Sequence, residues 1–493
     1  MNIRDYIKPQ YGLFIDGKWT GPVSGEYFEA TSPSTSEVLS LCASGNAEDV
    51  DRAVDSAARA FSMWKRTTAK ERAALLNQIA DAITENKQKL AMIESLDEGK
   101  PIREPMNKDI DTSADMFHYF AGAILTDMGY STMIDDETLE IIVKEPVGVV
   151  GQIVPWNFPL MLSAYKIAPA IAAGNTVVLK PSSEACLALL EFIDIIRDIL
   201  PPGVINVVTG SGNVTGQAIL DHPKIQKLSF TGSSDVGYMV AESAARKLIP
   251  ATLELGGKSA HIFFPDLNWD KAVDAAVSGI LWNQGQVCCS GSRLFVHEDI
   301  YDDFALAVKE KIDNLVIDMP WKETSMMGPI NNASQLEKIR RYIDLGIEEG
   351  ANKICGGEKI TAPEFINGNF IKPVLFTEVT NDMRIAREEI FGPVILLIRF
   401  RTEDEVIAMA NDNDYGLAGG VWTKDINRAL HVAQSIDTGL MWVNTYNVSP
   451  SHVLFGGYKK SGLGREGNVL SMIHYYELKA IVIETRDSFR KWY

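Results

Sequence analysis

The spacing of hydrophobic and polar positions changes along the chain near residue 147. In residues 46–100, apolar side chains such as Val50, Val54 and Ala57 recur at helical spacing, with charged residues between them. This pattern predicts a helical region that precedes the first long buried strand.

From residue 147 onward, short apolar runs alternate with helix-like stretches. The spacing predicts strands at 147–154, 176–179, 204–208 and 227–230, and helices at 160–173, 185–199 and 216–220. This alternation is typical of βαβ units, so we predict an α/β fold with a doubly wound parallel sheet. A second series in residues 259–442 predicts a second α/β domain. The tail carries a strand at 480–483, which needs an edge from another domain or from another subunit.

Composition narrows the class of protein further. The chain has 493 residues, of which 46% are hydrophobic and 23% charged, as expected for a globular protein of two or three domains. A net charge of −18 argues against nucleic acid or an anionic membrane as a partner. The five cysteines show no CxxC spacing and the seven histidines no ligand spacing, so we predict no metal site. The amino terminus carries no signal-peptide pattern, and we expect a cytoplasmic protein.

Two nearby runs carry the strongest chemical signal. Residues 283–293 place Cys288 and Cys289 among small residues, and residues 253–258 place Glu254 beside two glycines. A thiol nucleophile needs a partner that removes its proton or activates water. Cys288 and Glu254 are therefore a candidate pair, although a cysteine in such a stretch taken alone is more often an inert buried thiol.

Polar residues also follow several of the predicted strands. Residues 230–237 place a G-x-x-x-x-G pattern between a strand and a helix, where nucleotide phosphates bind in doubly wound sheets. Lys180, Ser182 and Ser183 close another strand and are suited to hold a ribose or a phosphate. Asn157 lies between two prolines, which fix its amide as a donor to an oxyanion. Each pattern alone also fits an ordinary turn.

Six motifs follow one another in a fixed order. They are Trp156-Asn157-Phe158-Pro159, Phe230-Thr231-Gly232-Ser233, Leu253-Glu254-Leu255-Gly256-Gly257-Lys258, Gly285-Gln286-Val287-Cys288, Glu389-Ile390-Phe391-Gly392-Pro393 and Gly456-Gly457-Tyr458-Lys459-Lys460-Ser461-Gly462. In this order they resemble the aldehyde dehydrogenase superfamily over nearly the whole chain. The resemblance implies an NAD(P)-binding domain from 1–123 and 147–256, and a catalytic domain at 257–460. It also implies a small β oligomerisation element from 124–146 and 475–493.

The resemblance implies a role for each catalytic candidate. Cys288 matches the nucleophile that attacks an aldehyde to form a thiohemiacetal, and Asn157 matches the donor that holds the oxyanion together with the Cys288 N–H. Glu254 matches the base that activates the water for thioester hydrolysis. Lys166 and Glu466 fall where the family has a proton relay behind that base. The adjacent thiol is expected to be a spectator.

The cofactor residues are also implied by the resemblance. They are Trp156, Lys180, Ser182, Ser183, Gly216, Phe230, Gly232, Ser233, Leu255, Gln335, Lys338, Glu389 and Phe391. NAD-preferring members usually carry a glutamate three residues after the strand-end lysine, and Ser183 stands there in this chain. A carboxylate repels a 2′-phosphate, whereas a serine beside Lys180 does not. We therefore predict that both cofactors are used, with NADP slightly favoured over NAD.

The substrate pocket is implied by family position. Its expected walls are Phe158, Leu162, Tyr165, Trp282, Val287 and Phe455. Aromatic walls suit an aryl aldehyde by stacking or an ammonium aldehyde by cation–π contact. Broad hydrophobic specificity is the simplest interpretation.

Two other functions stay open on the residues alone. A thiol hydrolase or acyltransferase needs Cys288 but no redox cofactor, and the phosphate-facing motifs argue against it. A binding protein that has lost activity is expected to lack the thiol or the base, and both are present here. Glu254 also argues against a CoA-dependent member, which generally lacks that base. The family forms dimers or tetramers, so we expect a homodimer or homotetramer.

Overall fold

The structure, a computed structural model, describes residues 3–487. Within that range, the first large sheet has eight strands. In spatial order they are Gly462–Leu463, Ala251–Glu254, Ile225–Thr231, Val149–Ile153, Thr176–Lys180, Ile205–Val207, Leu13–Ile15 and Lys18–Thr20. The five central strands run parallel, and antiparallel strands close both edges. Four of the five match the predicted strands, whereas the strand Ala251–Glu254 was not predicted. The returning strand near residue 462 therefore brings the chain back to the first sheet after the second domain.

Both faces of this sheet are buried. Along Thr176–Lys180, Val177 and Leu179 belong to one hydrophobic cluster, whereas Val178 belongs to another. Because side chains alternate between the faces of a strand, each cluster lies on its own face of the sheet. This is the doubly wound arrangement that the apolar runs predicted.

The second large sheet has seven strands among the described residues. In spatial order they are Asn352–Cys355, Val374–Thr377, Val394–Phe400, Arg293–His297, Ala260–Phe263, Ala418–Trp422 and Leu440–Val443. All neighbours pair in parallel except the first two, which are antiparallel. The predicted second α/β domain is thus built around its own buried sheet.

The carboxyl-terminal strand lies in a separate three-stranded sheet. Tyr476–Glu484 pairs with Thr138–Pro146, which in turn pairs with Tyr130–Asp135. The edge that this strand needs is therefore supplied by its own chain. Of the predicted oligomerisation segment, residues 488–493 lie outside the described part of the chain. The amino-terminal strands Gln10–Tyr11, Tyr27–Thr31 and Val38–Ala43 form another small sheet that the periodicity did not predict, because these strands are short.

The helices fill the connections between strands. The α-helices are Ala47–Trp64, Ala69–Glu85, Lys87–Asp97, Ile110–Ala123, Pro159–Ala172, Leu187–Ile196, Gln217–Asp221, Ser234–Lys247, Trp269–Leu281, Tyr301–Asp313, Ala333–Glu348, Arg384–Arg387, Glu403–Asn411 and Ile426–Ser435. The predicted helical region 46–100 is thus three helices, and the first begins where the Asn46 side chain accepts the N–H groups of Glu48 and Asp49. None of the described helices has the length and apolar character needed to cross a membrane.

Candidate active site

Four neighbouring strands of the eight-stranded sheet end at one edge. Ile153 is paired with Lys180 and with Phe230, and Thr231 is paired with Glu254. The segments that leave these strand ends are 154–157, 181–183, 232–233 and 255–257. Because the carboxyl ends of parallel strands meet at the same edge, the predicted residues on these segments share one crevice.

The helix Ser234–Lys247 begins in this crevice. Its N-cap residue, Ser233, is exposed and makes no capping hydrogen bond with its side chain. A Cβ at Gly232 would lie 2.4 Å from the Phe230 ring, so only glycine lets the turn come this close. The free N–H groups of the first helical turn and the unused Ser233 hydroxyl suit a diphosphate. A dinucleotide cofactor therefore fits this end of the crevice.

The opposite wall of the crevice is built around Glu389. Its Oε1 accepts the Gly257 N–H at 3.0 Å, and a Cβ at Gly256 would lie 2.6 Å from its other oxygen. Burial raises the pKa of Glu389 above its ordinary value. The two glycines thus bring the backbone close enough to fix this carboxyl group at the cavity wall.

Gln335 and Phe391 complete that wall. The Gln335 side-chain amide donates to the carbonyls of Ile390 (3.0 Å) and Phe391 (2.8 Å). The Phe391 ring meets the Trp156 ring edge-on, with centroids 5.4 Å apart. Together the walls enclose a cavity of about 160 Å³, which we call the cofactor-side cavity. The predicted residues that line it are Trp156, Asn157, Gly232, Ser233, Glu254, Leu255, Cys288, Gln335, Lys338, Glu389 and Phe391.

Lys180 and Gly216 lie together at the next strand end along the sheet edge. Lys180 is buried, and its Nζ donates to the Pro181 carbonyl at 2.8 Å. Burial lowers the pKa of Lys180 to about 8. A Cβ at Gly216 would contact the Lys180 stem at 3.7 Å, so the two predicted residues do lie side by side.

Ser182 and Ser183 follow on the same turn. Ser182 Oγ accepts the Glu184 N–H at 3.2 Å. Ser183 lines a separate cavity of about 350 Å³ together with Ser211 and Asn332. The position where NAD-preferring members carry a glutamate therefore faces open, polar-walled space.

The segment that presents Cys288 is held in a left-handed backbone. Asn283, Gln284 and Gly285 have φ angles of 47°, 57° and 75°. Two consecutive non-glycine residues in this region are costly unless the surroundings fix them. The Asn283 N–H donates to Glu104 Oε2 at 3.0 Å, and a Cβ at residue 285 would lie 2.3 Å from the Gly392 carbonyl oxygen. Only glycine fits at residue 285, and the hydrogen bond from Asn283 to Glu104 holds the start of the loop in place.

Asn157 is buried against the same loop. Its Nδ2 donates to the Gln286 carbonyl at 2.9 Å. Its own backbone carbonyl accepts from Lys100 Nζ at 2.9 Å and from Asn283 Nδ2 at 2.8 Å. Because a side-chain amide has two N–H donors, one remains for a ligand in the cofactor-side cavity. Asn157 is thus a fixed donor beside Cys288.

A buried carboxyl cluster surrounds Lys100 beneath these residues. Lys100 is fully buried and pairs with Glu94 at 2.9 Å and Asp109 at 2.8 Å. Burial raises the pKa of Glu94 to about 7 and that of Glu104 to about 8, and it raises the pKa of Glu98 well above the usual range. The sequence analysis missed this cluster. Its signal was a set of acidic residues close to Gly99 at the end of an amphipathic helix.

Glu254 ends its strand inside the site. Its side chain is 2% exposed, and neither carboxyl oxygen has a hydrogen-bond partner among the described residues. Burial raises the pKa of Glu254 well above its ordinary value, and the neighbouring Glu466 raises it further. Lys166 forms a buried ion pair with Glu466, so these two predicted residues do lie together. An unpartnered buried carboxyl group of this kind is suited to exchange protons with a ligand or water.

Two adjacent thiols face the site differently. Cys288 lines the cofactor-side cavity and also a second, apolar cavity, which we call the apolar channel. Cys289 lines only the apolar channel. Their mutual hydrogen bond raises the pKa of Cys288 and lowers the pKa of Cys289. The positive charge of Lys108 lowers the pKa of Cys289 further. Proton affinity alone favours Cys289 as thiolate. Geometry favours Cys288 as the nucleophile, because of the two thiols only Cys288 lines both cavities.

The apolar channel contains every predicted pocket residue. Phe158, Leu162, Tyr165, Trp282, Val287 and Phe455 all line it, together with Glu254 and Glu466. The sequence analysis missed Lys108, Met161, Trp442, Asn447 and Ser449, which also line it. These residues come from segments without a recognised motif. The channel, of about 60 Å³, is smaller than the cofactor-side cavity.

The arrangement brings a thiol, an oxyanion donor and a buried carboxyl group to the point where two cavities meet. One cavity fits a dinucleotide and the other an apolar carbonyl compound. A carbonyl carbon bonded to Cys288 lies within reach of groups in both cavities. This geometry suits attack on an aldehyde followed by oxidation and hydrolysis.

Comparisons with known proteins agree with this interpretation. Residues 19–481 match the sequence model of the aldehyde dehydrogenase family. A relative from Rhodospirillum rubrum named aldehyde dehydrogenase is 43% identical over 484 residues, which cover 97% of this chain and 95% of that protein. The structure of an aldehyde dehydrogenase from Bacillus cereus in complex with NAD⁺ matches with a TM-score of 0.96 and 38% identity, covering 98% of both chains. A betaine aldehyde dehydrogenase from Staphylococcus aureus, also in complex with NAD⁺, matches with a TM-score of 0.96 and 35% identity, covering 99% of this chain and 97% of that one.

Proposed function

The chain belongs to the aldehyde dehydrogenase family and is an NAD(P)-dependent aldehyde dehydrogenase, and we propose that it works through a thioester on Cys288. The observation that carries this mechanism is the position of Cys288 and Glu254, which line both the cofactor-side cavity and the apolar channel. The net reaction converts an aldehyde, NAD(P)⁺ and water into a carboxylic acid, NAD(P)H and a proton.

In the first step the Cys288 thiol releases its proton to solvent water, and the thiolate sulfur bonds to the aldehyde carbon. The thiolate that hydrolysis later releases enters the next cycle. The carbonyl oxygen becomes an oxyanion, which the Asn157 amide and the Cys288 backbone N–H stabilise. The Gln286 carbonyl and the Lys100 ammonium hold Asn157 in place through its side chain and its backbone, respectively. The donor is therefore oriented before the substrate arrives.

The cofactor would be held by the walls of the crevice described above. Ser233 and the first turn of its helix would hold the diphosphate, Trp156, Phe391 and Glu389 would lie at the nicotinamide end, and Gln335 and Lys338 would lie at the nicotinamide ribose. When bound, the nicotinamide would accept a hydride from the tetrahedral carbon, which leaves a thioester on Cys288.

Hydrolysis of the thioester then requires a base. Glu254 removes a proton from water, which attacks the acyl carbon and releases the carboxylic acid with the Cys288 thiolate as leaving group. The Lys166–Glu466 pair accepts that proton from Glu254 and passes it on, since both groups are buried directly behind the base. Splitting the oxidation into acyl transfer to sulfur and hydrolysis lowers each barrier.

The cofactor preference rests on Ser183. Ser183 itself adds no carboxylate to the 350 Å³ cavity, although Glu29 and Glu184 also line it. We propose that both cofactors are used and that NADP is slightly favoured. The two similar structures named above contain NAD⁺, which supports use of NAD at the same site.

The substrate is an aldehyde, and the channel favours one with an apolar body. Its aromatic walls accept aryl and aliphatic groups, and the likeness to a betaine aldehyde dehydrogenase adds an ammonium-bearing aldehyde as a candidate. If the apolar walls alone determine which aldehydes bind, the enzyme accepts a broad range of hydrophobic aldehydes.

The assembly and location complete the proposal. The outer strand Tyr476–Glu484 exposes Leu478, Val482 and other apolar side chains at the edge of its sheet. Pairing of this sheet with a second copy would cover them, and we propose a homodimer or homotetramer in the cytoplasm. Light scattering of Val482→Asp tests this, since a smaller assembly is expected.

The mechanism is tested by trapping the acyl-enzyme. Enzyme, aldehyde and NAD(P)⁺ are mixed and quenched, and the mass of the Cys288 peptide is measured alongside reduced-cofactor absorbance. An added acyl group on Cys288 that appears with the first equivalent of reduced cofactor is expected. Acylation without reduced cofactor would indicate a thiol acyltransferase, and reduced cofactor without acylation would exclude the thioester.

A further inference from the structure

Lys108 is the one charged side chain on the channel wall, among the described residues, that the proposed mechanism does not use. The others, Glu254 and Glu466, serve hydrolysis and proton transfer. Lys108 lies in the π-helical turn Pro105–Asp109, which leads into the helix Ile110–Ala123. Its neighbour Asp109 is fixed by the buried Lys100 ion pair. The ammonium group is therefore held at the channel rather than extended into solvent.

The contacts of the Lys108 ammonium leave it without a counter-charge in the described residues. Its Nζ donates to the Asn447 carbonyl at 2.7 Å and lies 5.1 Å from the centre of the Trp282 ring. An ammonium group has three N–H donors, and one carbonyl satisfies only one of them. Glu466 is paired with Lys166, and among the described residues no carboxylate forms an ion pair with Lys108. The positive charge of Lys108 is thus available to a ligand in the channel.

The same contacts argue against a cationic substrate. Trp282 and Trp442 line the channel, and tryptophan is the side chain best suited to a cation–π contact; Lys108 already lies over the Trp282 ring. A second cation in the channel would meet both an occupied ring and a like charge. An anionic group on the substrate meets neither obstacle and gains a hydrogen-bonding partner for the unused ammonium N–H groups.

We propose, on the basis of the proposed function, that the channel selects aldehydes with an apolar body that carry a carboxylate at the end remote from the carbonyl. Lys108 is then the residue that determines this specificity, through a charge-assisted hydrogen bond. It also pins the loop at Asn447, whose φ of 58° requires support. The test must therefore separate a charge effect from a loss of loop structure.

The test compares three substrates of nearly equal shape: 4-formylbenzoate, benzaldehyde and 4-(trimethylammonio)benzaldehyde. For the wild-type enzyme we expect kcat/KM to fall in that order, with about three- to tenfold between the anionic and the neutral aldehyde. Added salt should reduce the ratio, because a half-buried charge is partly screened. Hexanal and 6-oxohexanoate provide a second pair with a flexible body.

Two variants assign the effect to Lys108. Lys108→Met keeps the stem and removes the charge, and should bring the anionic-to-neutral ratio of kcat/KM close to one. Lys108→Glu should invert the order in favour of the ammonium aldehyde. The matched control is Lys65→Met, since Lys65 also lies 5.1 Å from an aromatic ring, that of Phe61, but is exposed and distant from the channel.

The outcomes distinguish the two proposals. If benzaldehyde is oxidised but charge has no effect, or if Lys108→Met lowers all three rates equally, the specificity inference is overturned and the proposed function stands. A wild-type preference for the ammonium aldehyde would also overturn it. If neither the aryl nor the aliphatic aldehydes yield reduced cofactor, the proposed function fails and the inference fails with it.

Discussion

The cofactor-side cavity and the apolar channel share Cys288 but are built from different kinds of structure. The cavity is formed mainly by backbone turns at strand ends, where glycines such as Gly232 and Gly256 allow close approach. The channel is formed by large side chains from helices and loops, among them Trp282 and Trp442. The shape of the cavity is therefore set by the backbone, whereas the chemistry of the channel depends on individual side chains.

This difference predicts how each region responds to substitution. Changes at the junction, Cys288 and Glu254, should stop turnover whatever ligand is used. Changes within one cavity should alter selection of one ligand and leave the other largely unaffected.

The largest effect is expected at the shared sulfur. Cys288→Ala removes the nucleophile from both cavities and should lower kcat by at least about 10⁴-fold with every aldehyde and either cofactor. Cys289→Ala is the matched control and should stay within about tenfold, because Cys289 reaches the channel alone. Steady-state rates of reduced-cofactor formation measure both. The reverse ranking would show that the lower proton affinity of Cys289, rather than access, selects the nucleophile.

Removal of the base should separate the two halves of the reaction. Glu254→Gln should retain a first burst of reduced cofactor but lower steady-state turnover by about 10²- to 10⁴-fold, since hydrolysis needs a general base. In the wild-type enzyme the raised pKa of Glu254 means that the base form is lost as the pH falls through that value. As the pH is lowered, the hydrolysis rate should therefore decline at a pH well above the ordinary pKa of a carboxyl group. Stopped-flow absorbance across a pH series measures both effects, and a normal steady state in Glu254→Gln would remove the assignment.

Removal of the proposed oxyanion donor should slow the chemical step without weakening the binding of either the aldehyde or the cofactor. Asn157→Ala is expected to lower kcat by about 10²- to 10³-fold with little change in KM for either ligand, because the donor acts on the charge that develops during attack. A change confined to the KM of the cofactor would instead mean that Asn157 belongs only to the cavity wall.

The smallest effect is expected within the cofactor side alone. Ser183→Glu should shift kcat/KM by about tenfold towards NAD, because a carboxylate repels a 2′-phosphate. Aldehyde specificity should be unchanged. Ser36→Glu is a suitable control, since it places a carboxylate in the same 350 Å³ cavity on another segment. A wild-type enzyme that strongly prefers NAD would contradict the proposed preference before any variant is made.

Much of the cofactor side could be predicted from the sequence. Short apolar runs predicted the strands that precede Asn157, Ser182 and Gly232, and these residues share one edge because parallel strands share their direction. The strand that ends at Glu254 was not predicted. The buried cluster around Lys100 and the left-handed loop at Asn283 could not be predicted in this way. Their role depends on partners almost 60 to 180 residues distant, such as the Asn157 carbonyl for Lys100 and Glu104 for Asn283.

The sequence by itself determined the alternation of strands and helices in the two α/β regions, since periodicity sets each element and strand direction sets the edge where polar residues gather. Its ordered motifs carried the family resemblance, from which we propose the roles of the thiol, the amide and the base. Only the tertiary structure decided that Cys288 lies between two cavities and that Lys108 lies over the Trp282 ring. Such positions arise from packing between segments distant in the chain, and the spacing of residues along the sequence carries no record of which distant side chains will meet.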